Sequence, residues 1–358
     1  MLIVLRPDAT ADDAERVARR VRRAGLTPML RARDGRMAIV VVEDAPSALA
    51  GQIDADAAVG DVIPLAAPFK LASRQVRPAG TVVDVDDGPA VGGEGVVLVA
   101  GPCSVEDEPM LVETAMAVRA VGAHLLRGGV FKPRTSPYSF QGLGRAGLRH
   151  LARCRELVRL PTVTEVMTPH EVEAVAEVAD VLQIGARCMQ NYDLLREVGR
   201  QPRPVLLKRG FANTVEELLL SAEYVLAQGH EHVILCERGI RTFENATRNT
   251  LDVAAIPVLH ELSHLPVIVD PSHATGRASL VAACARAAVA AGADGIMVEV
   301  HPRPSEALSD AAQALTVAEL AAMVPTLGLV AEAVGRRLAP PVSRSAASYD
   351  AQVASSVP

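Results

Sequence analysis

The sequence contains no tryptophan, and its aromatic residues amount to 3% of the chain. So small a supply leaves little to stack on nucleic-acid bases or sugar rings, which argues against a single-strand binder or a carbohydrate platform. Positive charge is not in excess either. With a formal net charge of −6 the long-range field of a general nucleic-acid or membrane-surface binder is missing, so any anion site must be local. No apolar run approaches the roughly 18 residues needed to cross a bilayer, and the chain does not open on a basic segment followed by an apolar one. A cytoplasmic location is expected, with neither nucleic acid nor membrane as partner. Cysteine is sparse as well. Cys103, Cys154, Cys188, Cys236 and Cys284 lie far apart, form no Cys-x-x-Cys pair and are odd in number, which favours thiols or metal ligands over disulfides.

Lysine is the scarcest charged residue, with three among 36 basic side chains. Lys70 reads as an exposed leftover. Lys132 and Lys208 each follow an apolar run, in Leu126-Arg-Gly-Gly-Val-Phe-Lys-Pro-Arg-Thr-Ser136 and Val205-Leu-Leu-Lys-Arg-Gly210. Guanidinium is planar, bulkier and permanently protonated, so a chain that otherwise prefers arginine keeps lysine where a compact, flexible ammonium is needed. Arginines in both motifs point the same way, to an anionic substrate.

What the chain does have is apolar bulk: 49% hydrophobic and 22% charged residues over 358 positions, enough for one large and one small domain. Residues 1–70 read as the small one. Leu2–Leu5 forms a strand, Thr10 caps an amphipathic helix that Gly25 stops, and Asp34-Gly35 turns a hairpin into the strand Met37–Val42. A short helix over Ser47–Ile53 then precedes the strand Val59–Pro64. This β-α-β-β-α-β order is the ferredoxin-like motif. The arginines between Arg16 and Arg23 read as a solvated helix face. Residues 71–95 form a linker with a small hairpin at Asp87-Gly88, and 339–358, rich in Ser, Ala and Pro, are expected to be disordered.

Between them, over 96–338, short apolar runs alternate with helical stretches. The runs are Val96–Ala100, His124–Leu126, Thr162–Thr164, Val181–Ile184, Val205–Leu207, Val233–Leu235, Val267–Val269 and Ile296–Val298, eight in all. Capping signals such as Thr168-Pro-His-Glu171 and Thr214-Val-Glu-Glu217 start helices between them. Eight β-α units predict a (β/α)8 TIM barrel in an α/β protein. No strand-then-GxGxxG turn supports a dinucleotide-binding open sheet instead.

Catalytic groups of such barrels sit at the carboxyl ends of the strands, and the unusual polar residues fall there. Arg127, Lys132, Arg134, Arg187, Lys208 and Arg238 would bring six cations from four loops to one rim, more positive charge than an acidic protein gathers without anionic ligands. Cys103, His273 and Glu299, with Asp310 as the best acid of the long last loop, form a second set. Thiolate, imidazole and carboxylate suit a transition metal better than magnesium. A lone cysteine after a strand is more often a packed hydrophobe, and spacing alone leaves both readings open.

The motifs Ala100-Gly-Pro-Cys-Ser-Val-Glu106, Lys132-Pro-Arg-Thr-Ser-Pro-Tyr-Ser-Phe-Gln-Gly-Leu-Gly144, Ile184-Gly-Ala-Arg187, Leu206-Leu-Lys-Arg-Gly210, Cys236-Glu-Arg-Gly-Ile-Arg-Thr-Phe-Glu244 and Val269-Asp-Pro-Ser-His273 together resemble 3-deoxy-D-arabino-heptulosonate-7-phosphate (DAHP) synthases of type Iβ. That resemblance runs from residue 1 to about residue 335. It implies condensation of phosphoenolpyruvate with erythrose 4-phosphate, with release of phosphate, at the head of the shikimate pathway to aromatic amino acids. It implies a divalent transition metal (manganese, iron, cobalt or zinc) on Cys103, His273, Glu299 and Asp310. Arg127, Lys132, Arg187, Lys208 and Arg238 would hold phosphoenolpyruvate, and Arg134, Thr135 and Ser136 erythrose 4-phosphate. Lys132 is the first candidate for proton transfer, with Glu165 and His301 for handling water. The resemblance also implies a homotetramer inhibited by an aromatic amino acid, tyrosine or phenylalanine, through the front domain. The rival readings are the related 3-deoxy-octulosonate 8-phosphate synthase, which uses arabinose 5-phosphate, a Schiff-base aldolase with Lys208 as nucleophile, and an effector-binding regulator on a dead barrel.

Overall fold

Local capping organises the front of the chain. In the computed structural model, which describes residues 1–342, the Thr10 hydroxyl accepts from the Asp13 amide at 3.2 Å. The Asp13 carboxylate in turn accepts from the Thr10 amide at 2.9 Å, which sets the first turn of α1 (Ala11–Arg23). This helix packs Ala14, Val17, Ala18 and Val21 with Ile3, Leu5, Ile39 and Val41 of the sheet. Its arginines face outward: Arg16 pairs with Asp13 and Asp56, and Arg22 with Glu15. The strands β1 (Leu2–Leu5), β2 (Pro28–Arg33), β3 (Arg36–Val41) and β4 (Val59–Ile63) lie in the order β2-β3-β1-β4, every pair antiparallel, with α2 (Ser47–Asp54) between β3 and β4. This is the ferredoxin-like arrangement. Asp34 and Gly35 turn from β2 to β3 with φ of 49° and 76°, as a two-residue hairpin demands.

The chain forms two compact units, and the first runs on past residue 70 to Thr81, with His260–Leu265 included. Within it Ser73 bridges Ser263, and the Thr81 amide donates to the His264 carbonyl at 2.7 Å. Lys70 departs from the expected exposed leftover: it is half-buried, and its ammonium donates to the Leu65 carbonyl at 2.6 Å.

The second unit holds the eight parallel strands β5 (Gly95–Gly101), β6 (Leu125–Arg127), β7 (Thr162–Glu165), β8 (Val181–Ile184), β9 (Val205–Lys208), β10 (Val233–Glu237), β11 (Val267–Val269) and β12 (Gly295–Glu299). Each pairs with the next, and β12 pairs with β5 from Gly295–Val97 to Glu299–Gly101, which closes the barrel. The helices α3 (Glu108–Val121), α4 (Arg145–Val158), α5 (Val172–Val178), α6 (Tyr192–Val198), α7 (Val215–Leu226), α8 (Ala255–Leu262), the short α9 (Pro271–Thr275), α10 (Ala278–Ala290) and α11 (Val317–Ala333) follow in chain order. The start of α7 carries the Thr214–Glu217 reciprocal cap, at 3.1 and 2.8 Å.

Val97, Val99, Leu125, Val163, Val181, Leu206, Ile234, Ile268 and Met297 fill the barrel, and Val83, Val85 and Val91 join the same cluster. The Asp87-Gly88 segment turns between Val83 and Val91, which pair with each other. Of the tail expected to be disordered, Ala339 is ordered: it packs into this cluster and donates to the Val96 carbonyl at 3.0 Å. Residues 343–358 lie outside the described residues.

Candidate active site

The barrel strands are buried on both faces, so a charged residue is tolerated only where the strand reaches the open end of the barrel. Five strands run past their apolar core to such a residue: Arg127, Glu165, Lys208, Glu237 and Glu299 are the last residues of β6, β7, β9, β10 and β12. Glycine makes room beside them. A Cβ on Gly185 would lie 1.9 Å from the Glu165 carboxylate, and one on Gly101, whose φ is 153°, would lie 2.1 Å from the Arg127 carbonyl oxygen.

Above the strand ends lies a cavity of about 230 Å³. Arg127, Lys132, Arg134, Thr135, Ser136, Glu165, Arg187, Lys208, Arg238, His273 and Asp310, all singled out in the sequence, line it. Arg238 is 3% exposed and, among the described residues, donates to two carbonyls, those of Gly239 at 3.1 Å and His273 at 3.2 Å. Neither it nor Arg187 has a carboxylate ion-pair partner among the described residues. Burial lowers the pKa of both, and for Arg187 the nearby Arg248 adds to the effect. Arg187 remains exposed to solvent, whereas a guanidinium as buried as that of Arg238 is unfavourable without a counter-ion unless an anion completes the site.

Beside the cavity, one ligand atom each from Cys103, His273, Glu299 and Asp310 come within 4.8 Å of one another. The Cys103 thiol donates to Asp310 Oδ2 at 3.2 Å, and His273 Nε2 lies 3.3 Å from Glu299 Oε1. That Glu299 oxygen is buried and has no hydrogen-bond partner among the described residues, while Oε2 of the same carboxylate accepts from Gln313 at 2.7 Å. A buried carboxylate oxygen set between an imidazole nitrogen and the Arg127 guanidinium, whose Nη2 lies 3.2 Å away, with a thiol and a second carboxylate close by, fits a divalent transition ion. Asp310 itself takes φ of 52°, a left-handed conformation that aspartate tolerates better than most residues.

Electrostatics tie the cation rim to this cluster. Burial pushes the Cys103 thiol up to about 12, with Glu299 adding to the effect and Lys132 opposing it. Lys132 donates to Cys103 Sγ and to the Cys103 carbonyl, each at 3.0 Å. Burial disfavours its charge, but Cys103 and Glu165 outweigh that and hold its pKa above the ordinary value. For Asp310, burial is outweighed by Arg248 and His273, which bring its carboxyl to about 2.

His301 does not line the cavity. It is buried behind the loop after β12, where its Nδ1 accepts from the Arg303 amide at 3.1 Å and its Nε2 lies 3.6 Å from Glu106. Four residues without a role in the sequence reading belong to the site. Asp270 is fully buried and accepts from Lys208 Nζ at 2.5 Å, from His273 Nδ1 at 2.8 Å and from the His273 amide at 3.0 Å, so it fixes the imidazole with Nε2 toward the cluster. His273, Lys208 and Arg127 hold its pKa well below the ordinary value against the effect of burial. An acid three residues before a histidine at a strand end was a legible signal for it. Gln313 bridges Glu299 to Arg248, accepting from the latter at 2.9 Å, and Arg248 lies 3.4 Å from Asp310. Phe211 and Arg248 line the cavity from irregular segments, where periodicity carries no signal.

A closed (β/α)8 barrel whose strand ends gather cations beside a Cys-His-Glu-Asp cluster defines a barrel enzyme for anionic substrates. The chain belongs to the DAHP synthetase I family, which residues 80–334 match. It is 45% identical over 335 residues to the phospho-2-dehydro-3-deoxyheptonate aldolase of Thermotoga maritima, covering 94% of this chain and 99% of that one. The crystal structure of phospho-2-dehydro-3-deoxyheptonate aldolase (DAHP synthase) from the same organism superposes with a TM-score of 0.75 at 44% identity, over 94% of this chain and 99% of that one. The 2-dehydro-3-deoxyphosphooctonate aldolase of Syntrophotalea carbinolica is 36% identical over 252 residues, covering 65% of this chain and 89% of that one.

Proposed function

We propose that this chain condenses phosphoenolpyruvate with erythrose 4-phosphate and water to give DAHP and inorganic phosphate. The observation that carries this reading is Arg238, buried at 3% exposure and without a carboxylate ion-pair partner among the described residues, in a cavity lined by five further lysine and arginine side chains from the sequence-selected set. Asp270 and Glu299 already face Lys208 and Arg127, but Arg187 and Arg238 have no carboxylate ion-pair partner among the described residues, which supports phosphorylated substrates. Identity over nearly the whole chain to a heptonate aldolase, against 65% coverage by an octonate aldolase, favours the four-carbon sugar.

Arg127, Lys132, Arg187, Lys208 and Arg238 bind phosphoenolpyruvate in this reading, and Arg134, Thr135 and Ser136 bind the sugar phosphate. Arg187 donates to Thr135 Oγ1 at 3.3 Å and so joins the two groups. Cys103, His273, Glu299 and Asp310 would hold a divalent ion, manganese, iron, cobalt or zinc, which when bound acts as a Lewis acid on the aldehyde oxygen. The chain's own part is to hold C3 of phosphoenolpyruvate against the aldehyde carbon and neutralise two anions that otherwise repel. As the C–C bond forms, Lys132, kept an ammonium by its neighbours, gives the proton that converts the aldehyde oxygen to a hydroxyl. Glu165, whose carboxylate meets Gln183 Nε2 at 3.4 Å, orients the water that adds at C2 and takes up its proton. The C–O bond of the resulting hemiketal phosphate then breaks, the C2 hydroxyl passing its proton to the departing phosphate and becoming the ketone, and the proton held by Glu165 restores the Lys132 ammonium. His301, away from the cavity, has a supporting place behind the last loop.

The front unit contributes none of these residues. Its role in this reading is feedback inhibition by tyrosine or phenylalanine in a homotetramer, which follows from the family resemblance. Mass spectrometry of the product tests the reaction: a seven-carbon ketose phosphate should form only when both substrates are present.

A further inference from the structure

Cations brought together for an anion repel one another before it arrives, so something must hold them without cancelling their charge. Two guanidiniums of this site and a third beside it converge on one side chain. The Cζ atoms of Arg187, Arg238 and Arg241 lie over the Phe211 ring at 5.1, 4.8 and 4.9 Å from its centroid. None of the three has a carboxylate ion-pair partner among the described residues. Arg187, Arg238 and Phe211 all line the cavity.

Phe211 is itself anchored. The Arg241 amide donates to the Phe211 carbonyl at 2.7 Å, which stitches the segment after β9 to the segment after β10. Two residues before it, Arg209 donates to the Asn213 carbonyl at 2.8 Å and to Glu237 and Asp252 at 2.9 and 2.8 Å. The backbone on both sides of the ring is therefore fixed before any ligand binds.

We propose that Phe211 is a positioning residue for the phosphoenolpyruvate pocket: its ring gathers Arg187 and Arg238 at the spacing the anion needs while leaving their charge unspent. The negative face of an aromatic ring attracts a guanidinium through its quadrupole. A carboxylate in the same place would hold the arginines more tightly, but it would neutralise them and compete with the incoming anion. A leucine would fill similar volume and hold nothing. The inference rests on the assignment of Arg187 and Arg238 to phosphoenolpyruvate.

Calorimetric titration of the full chain with phosphoenolpyruvate, and separately with inorganic phosphate, tests it on the wild type, Phe211→Leu and Phe211→Tyr. For Phe211→Leu the dissociation constant for phosphoenolpyruvate should rise on the order of tenfold, the scale of one or two partly desolvated cation–π contacts. For Phe211→Tyr, which keeps the ring, it should stay within about twofold. In steady state the Michaelis constant for phosphoenolpyruvate should rise in Phe211→Leu more than that for erythrose 4-phosphate, with kcat changed less. Because the ring is only half-buried, the thermal midpoint should hardly move. If Phe211→Leu does not fold, Phe211→Met carries the same comparison. Wild-type affinity in the leucine variant, or equal weakening in the leucine and tyrosine variants, would overturn the proposal. A wild type that binds phosphate but not phosphoenolpyruvate would instead count against the substrate assignment, and the phosphate titrations would still decide the role of the ring.

Discussion

Lys132 donates from Nζ to the sulfur of Cys103 at 3.0 Å, a contact between two buried side chains that joins the cation rim to the Cys-His-Glu-Asp cluster. A group that belongs to both sets can be separated from either by mutation. Lys132→Met should lower kcat by about 10²- to 10⁴-fold, the usual range for losing a general acid, while bound metal stays near one equivalent. Cys103→Ala should do the reverse: metal is lost and activity with it, while the thermal midpoint of the metal-free protein is little changed because the barrel core does not include this thiol. Metal analysis beside activity separates the two. Full metal and normal turnover in Cys103→Ala would sink the ligand assignment.

Arg134 tests the division of the cations into two pockets. Its NH1 is 4.0 Å from Asp310 Oδ1 and its side chain is 22% exposed, so its fork is available to a phosphate. Arg134→Lys keeps the charge and loses the two-pronged geometry. The Michaelis constant for erythrose 4-phosphate should rise about tenfold or more, with a smaller effect on phosphoenolpyruvate. Equal losses for both substrates would contradict two pockets.

Lys208 is where an imine-forming aldolase would place its nucleophile. Here its nitrogen is bonded to the Asp270 carboxylate at 2.5 Å, a contact that an imine would have to break. Borohydride added during turnover should leave the mass of the intact protein unchanged. A trapped adduct at Lys208 would replace the proposed chemistry with Schiff-base catalysis.

Residues 1–72, most of the front unit, contribute no lining residue to the cavity. A chain beginning at Ser73 keeps the Ser73–Ser263 bridge and the Thr81–His264 hydrogen bonds, and should retain turnover. The full chain should be inhibited by tyrosine or phenylalanine, and its thermal midpoint should rise with the effector, since a ligand acts only through its preference for one state. The shortened chain should show neither effect. Inhibition that survives the truncation would move the effector site into the barrel.

The parts of this molecule that were legible in its sequence are those set by short-range rules. Thr10 and Thr214 with their partners three residues on marked helix starts, and Asp34-Gly35 marked a hairpin. Eight apolar runs located the barrel strands, though each polar residue at a strand end still pairs in the ladder, so Arg127, Glu165, Lys208 and Glu299 finish strands rather than begin loops. Strand-end position gathered Cys103, His273, Glu299 and Asp310 as a set, and the motif resemblance turned that set from an open reading into a proposed metal site. No spacing relates Cys103 to Asp310, whose side chains meet only through barrel closure. For the same reason Gln313, Arg248 and the ring of Phe211 carried no signal. Lys70 was misread because nothing local shows that its ammonium would serve the Leu65 carbonyl. His301 was placed with the catalytic groups because it follows β12 closely, yet its amide pairs with Leu315 and the chain turns its ring toward Glu106.

The most direct test of the reaction is phosphate release from phosphoenolpyruvate with erythrose 4-phosphate and with arabinose 5-phosphate, before and after a chelator and again after a divalent metal is restored. The proposed function predicts rapid release with the four-carbon sugar and little with the five-carbon sugar. The release should be abolished by the chelator and recovered with the metal. Preference for arabinose 5-phosphate, or full activity in the chelated protein, would contradict it.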